Sequence, residues 1–156
     1  MAMIDAAAAI GDLTACNLTL NGLRDTDGVP FPLDVPLVLA WTPCLASGAK
    51  PGRNPMLADA FEVELLGLDA TRRWSSGRTA SNATDLLLSP DVGVDAASTH
   101  FLRVRLWSNG SAPSVWSSRL PLDTAPLAAQ WAPAEWIGGG SQLRTDLVLP
   151  SAPVWA

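Results

Sequence analysis

Along Phe61-Glu62-Val63-Glu64-Leu65, apolar and acidic residues alternate one for one. A period of two is the side-chain period of a β-strand; on a helix it would scatter both sets around the whole circumference. This stretch predicts the cleanest strand in the chain. The same period recurs in Cys16, Leu18 and Leu20 against Asn17, Thr19 and Asn21, closed by Asn21-Gly22. It recurs in Leu37, Leu39 and Trp41, ended by Pro43, and in His100, Leu102, Val104 and Leu106, with Phe101, Arg103, Arg105 and Trp107 on the opposite face. Leu86–Leu88 is a short apolar run before Ser89-Pro90. Asn109-Gly110 is a hairpin signal and predicts a return strand over Val115–Leu122. Arg24–Pro36 and Ala46–Pro55 read as loops, and Arg72–Asn82 as a polar stretch around Trp74. No apolar stripe at spacing three and four persists long enough for a helix. Six or seven short strands punctuated by turns predict an antiparallel sandwich.

The frame divides into a loose Ala-rich lead over residues 1–14, a sandwich over 15–125, and a tail over 126–156. In the tail Pro126, Ala128, Ala129, Ala132 and Pro133 read as a linker, and Trp136-Ile137, three glycines and Leu143–Pro150 look like the start of a further domain. Leu143–Leu149 is expected to be an orphan strand, frayed or paired on an edge.

Composition narrows the partners. Net charge is −5, which speaks against nucleic-acid binding by phosphate neutralisation. Arg103 and Arg105 alternate on one strand and point to local pairing rather than a basic field. No segment approaches the roughly 20 apolar residues needed to span a membrane. Met1–Ile10 contains no basic residue, is interrupted by Asp5, and has too short an apolar run for a signal peptide. The expectation is a cytoplasmic protein, or one whose export signal lies outside this sequence.

Several runs, in order, resemble elements of bacterial-type α-L-rhamnosidases. Trp74-Ser75-Ser76-Gly77-Arg78 resembles that family's W-D-S-G-R, Arg103-Val104-Arg105-Leu106-Trp107 its R-V-R-V-W, and Ser114-Val115-Trp116-Ser117 its S-P-W-S. Trp131-Ala132-Pro133-Ala134-Glu135-Trp136-Ile137-Gly138 resembles the W-x-A-x-W-I-G joint that follows, and Leu143-Arg144-Thr145-Asp146-Leu147 the L-R-x-x-F strand opening the next domain. The resemblance spans about Val35 to Pro150. It implies an all-β, antiparallel fibronectin III/immunoglobulin-like β-sandwich of about seven strands. It also implies a non-catalytic accessory module, with the family's acid and base on a helical barrel further downstream. Its partners would be the downstream domains of the same enzyme, and it implies no cofactor. Two departures stand out. Ser75 replaces the motif's Asp. His100 takes the place where such sandwiches normally carry a tyrosine whose hydroxyl ties down a corner; His100 either assumes that hydrogen bond or leaves the corner looser.

Candidate chemistry is sparse. Glu62 and Glu64 are the only close pair of glutamates, and strand geometry puts both on one face; a solvated sheet face is expected rather than an acid–base dyad. His100 is the only histidine, which rules out a histidine cluster for a metal, and it reads as a partly buried corner residue. Cys16 and Cys44 come near one another if their strands pair; two buried thiols are the preferred reading, and a disulfide is geometrically open. Seven tryptophans make a glycan a candidate ligand. Trp41 shares parity with Leu37 and Leu39 and reads as core. Trp107, with Arg103 and Arg105, predicts a cation–π ladder that Trp116 could join, although its parity with Leu120 and Leu122 would turn it inward unless a bulge intervenes. The second half of the cytokine-receptor W-S-x-W-S element shows the same pattern. Trp131, Trp136 and Ile137 are candidates for a domain interface, the alternative being a loop docked on its own sandwich. The sequons at Asn17, Asn82 and Asn109 read as incidental without an export signal.

Overall fold

The alternating segments fold as β1 (Leu13–Leu20), β2 (Leu37–Leu45), β3 (Ala60–Gly67), β4 (Arg72–Ser75), β5 (Asp85–Leu88), β6 (Thr99–Trp107) and β7 (Leu120–Asp123). The computed structural model describes residues 13–24, 30–46, 58–89, 92–108, 112–127 and 129. One sheet has the order β1-β2-β5 and the other β4-β3-β6-β7, with every pairing antiparallel. This is a seven-stranded sandwich of the fibronectin type III kind.

The inward residues of both sheets make one core. Leu18, Leu20, Leu39 and Trp41 face Phe61, Val63, Leu65, Leu102, Val104, Leu106 and Leu122. Each large apolar side chain buried there contributes roughly 1.5–3 kcal/mol. Trp41 and Phe61 meet across the layers with centroids 5.0 Å apart and planes tilted by 58°, a favourable aromatic geometry.

Four details depart from the sequence expectation. β1 begins at Leu13, which is buried, so the last two residues of the expected lead belong to the sandwich. β2 runs past Pro43 to Leu45. β5 pairs only with residues 37–40, and among the described residues no strand lies on that side beyond the bond from Trp41 N to Thr84 O. The missing N–H of Pro43 therefore costs no ladder bond. The polar stretch after Gly67 carries a strand, β4, because backbone pairing with Glu64, Leu65 and Leu66 holds it at the sheet edge. The intervening turn is tied by Thr71, whose hydroxyl and N–H both donate to Asp69 Oδ1 and hold that carboxyl below its ordinary pKa.

The fourth departure concerns the cysteines. The β1–β2 register shifts between Cys16 and Thr19, and Asn17 adopts φ 51°. This bulge inserts one residue, so Cys16 lies on the outer face while Leu18 stays in the core. Cys44 shares that outer face, and the pair forms a disulfide with Cα atoms 6.1 Å apart. The expectation of two buried thiols is thereby corrected: both cysteines are half-buried and bonded.

Candidate functional site

The outer face of the four-stranded sheet carries a set of paired charges. The β3–β6 register sets Glu62 opposite Arg105 and Glu64 opposite Arg103. Arg105 reaches Glu62 Oε2 through Nε at 2.8 Å and Nη2 at 2.6 Å. Arg103 reaches Glu64 Oε2 through Nε at 2.9 Å and Nη2 at 2.6 Å. The other oxygen of Glu62 accepts from Ser75 Oγ at 2.8 Å, and that of Glu64 faces Arg72 at 3.6 Å. Both glutamates are buried, at 7% and 4% exposure, which overturns the expected solvated face. The parity was right, but a cover of other side chains lies over it.

That cover is a stack of indoles and guanidiniums. Arg78 lies 5.4 Å from the Trp107 centroid and Arg105 5.1 Å from it. Arg105 lies 4.5 Å and Arg103 4.4 Å from the centroid of Trp116. Each contact stabilises by about 0.5–2 kcal/mol. The carboxylates beneath hold the guanidiniums in plane, so the ion pairs and the stack fix one another.

Trp116 reaches this face because the expected return strand does not begin at Val115. Residues 112–119 lie outside any strand, and β7 starts only at Leu120. Before it, Ser114 and Ser117 clamp β6 from a spacing of three. Their N–H groups donate to Leu106 O and Val104 O, each at 2.8 Å. Their hydroxyls accept from Leu106 N and Val104 N, each at 3.0 Å. Serines three apart thus serve strand residues two apart, and Trp116 between them turns outward over the arginines. The Asn109-Gly110 turn lies outside the described residues.

The Trp74–Arg78 run anchors the stack from the other edge. Trp74 packs on the core. Ser75 Oγ donates to Glu62 and accepts from Gly77 N at 3.0 Å. Ser76 pairs with Val63 through its N–H and through its hydroxyl, which accepts from Val63 N at 3.0 Å. Gly77 takes φ +62°, which favours glycine, and the turn delivers Arg78 to Trp107. Arg78, Ser114 and Ser117 were not assigned to the ladder from sequence; the S-x-x-S spacing around Trp116 was the available signal.

His100 is fully buried rather than partly so, at 4% exposure. Its Nε2 accepts from Asp95 N at 3.2 Å and lies 2.8 Å from Ser98 Oγ. It thus ties the corner before β6, while Nδ1 has no partner. Among the described residues no three His, Cys, Asp or Glu side chains converge on a metal position.

Where the chain leaves the sandwich, Thr124 bridges Phe31, and Ala125 N donates to Phe31 O at 2.9 Å. An open groove of about 480 Å³ is lined by Leu33, Val35, Leu37, Leu87, Val92 and Val94. Trp131, Trp136, Ile137 and Leu143–Leu149 lie outside the described residues.

Among solved structures the chain is similar to three α-L-rhamnosidases. It matches the Streptomyces avermitilis α-L-rhamnosidase complexed with L-rhamnose over 77% of this chain and 11% of that one, with TM-score 0.59 and 22% identity. For the enzyme from Dictyoglumus thermophilum the shares are 76% and 13%, with TM-score 0.58 and 15% identity. For that from Aspergillus terreus they are 78% and 13%, with TM-score 0.55 and 14% identity. The chain therefore spans only 11–13% of the length of these proteins. At these identities the likeness is one of fold, and the fold is the one that the sequence resemblance implies. No protein-family model and no curated protein matches the chain.

Proposed function

We propose that this chain is a non-catalytic accessory module of an α-L-rhamnosidase-like glycoside hydrolase, bracing the domains that follow it. The observation that carries this reading is a fold shared with a small fraction of three such enzymes, together with sequence motifs of that family in order along the chain. The chemistry agrees. Glycoside hydrolysis requires two carboxyl groups facing each other across a cleft, whereas Glu62 and Glu64 face arginines beneath an aromatic cover. Trp131, Trp136 and Ile137, which follow the last strand in sequence, are the candidate contacts to those domains.

A free-standing glycan- or protein-binding β-sandwich module is the competing reading. A sugar ring stacks on an open indole face, but the rings of Trp107 and Trp116 each carry two guanidiniums, and Trp41 and Trp74 pack in or on the core. Purified chain is expected to release no rhamnose from an aryl α-L-rhamnoside. Release that scales with protein and is lost on unfolding would overturn the proposal.

A further inference from the structure

We propose that Asn17 and Asn82 are N-glycan acceptor sites, used as the chain folds in an oxidising secretory compartment. The two cysteines of the sequence are joined to each other, and such bonds form and persist chiefly in oxidising compartments. That bond is independent of the sequons and gives them a context that the sequence alone lacked.

Three of the five asparagines, Asn17, Asn82 and Asn109, stand in an N-x-[ST] triplet. Asn17-Leu18-Thr19 and Asn82-Ala83-Thr84 lie among the described residues, and both asparagines are exposed. Asn17 owes its exposure to the bulge, whose φ of 51° turns it outward next to Cys16. It stands at a shallow polar groove with Arg24, Ser118 and Arg119. Asn82 lies in the connection leading into β5, two residues before Thr84, whose carbonyl accepts from Trp41 N at 2.9 Å. Neither side-chain amide has a structural task. Asn21 is the contrast: its amide donates to Pro36 O at 3.1 Å and accepts from Val38 N at 2.7 Å, and it lies in no triplet. The asparagine with a structural role is thus outside the motif, while the two exposed and unbonded ones are inside it.

The transfer uses a lipid-pyrophosphate-linked oligosaccharide. The bond from sugar C1 to the phosphate oxygen breaks, C1 bonds to the asparagine Nδ2, that nitrogen gives one proton to a base of the transferase, and the lipid pyrophosphate leaves with the C–O electron pair. No redox change occurs in this step.

The test uses the full chain carried by an export signal through a eukaryotic secretory host. Peptide mapping after amidase release of glycans in ¹⁸O-water marks each occupied asparagine by conversion to labelled aspartate. The expected result is label at both Asn17 and Asn82 in protein whose Cys16–Cys44 bond is intact. Thr19→Val and Thr84→Val should each remove one glycan, while Thr19→Ser and Thr84→Ser retain it. Translation into microsomes gives the same readout for a variant that is not secreted. Unlabelled Asn17 or Asn82 in translocated, disulfide-bonded chain would overturn the proposal.

Discussion

Arg105→Ala is expected to destabilise the sandwich by about 3 kcal/mol, the low end for breaking a buried ion pair because Arg105 itself is partly exposed. The substitution strands the buried Glu62 carboxylate, which would retain Ser75 alone, and it removes the guanidinium shared by Trp107 and Trp116. Arg105→Lys keeps the charge but loses the planar fork that pairs and stacks at once, so its cost should fall to about 1–2 kcal/mol. Pairing Arg105→Met with Glu62→Leu removes the stranded charge and should recover most of the loss. Denaturant unfolding of the three variants checks this order. Equal stability of Arg105→Ala and the parent chain would mean that the stack contributes nothing.

Loss of the Cys16–Cys44 bond should cost a similar amount. It closes a loop of 28 residues between β1 and β2, and the chain-entropy model gives about 3.5 kcal/mol for that length. For a domain near 100 residues this corresponds to a fall in Tm of roughly 15 °C. Reduction of the parent chain and the double replacement of Cys16 and Cys44 by serine should produce the same shift. Two titratable thiols in the native protein would refute the bond, and an unchanged Tm on reduction would refute its contribution to stability.

The sandwich was legible because its inward sets at Phe61–Leu65, Leu37–Trp41 and His100–Leu106 keep period two without interruption. Arg103, Arg105 and Trp107 could be placed on one face by the same parity. What alternation cannot show is where it breaks. The bulge at Asn17 moves Cys16 to the other face from Leu18 without any change in residue pattern. Nor does a strand's own sequence report what lies over it. Glu62 and Glu64 look solvated until the segment at 112–119 leaves the ladder and lays Trp116 across their arginines. Arg78 joins that stack only through a glycine turn and the isolated pairing of Thr79 with Phe61, both of which are tertiary facts. The polar segment at β4 was missed because an edge strand held by backbone bonds needs no apolar face.

Whether this sandwich belongs to a larger hydrolase is tested most directly by reading the source transcript past the codon for Ala156. The expected result is an open frame continuing into an enzyme of which the sandwich forms a small part, in keeping with the 11–13% it spans in its structural relatives. A stop codon directly after Ala156 would contradict it.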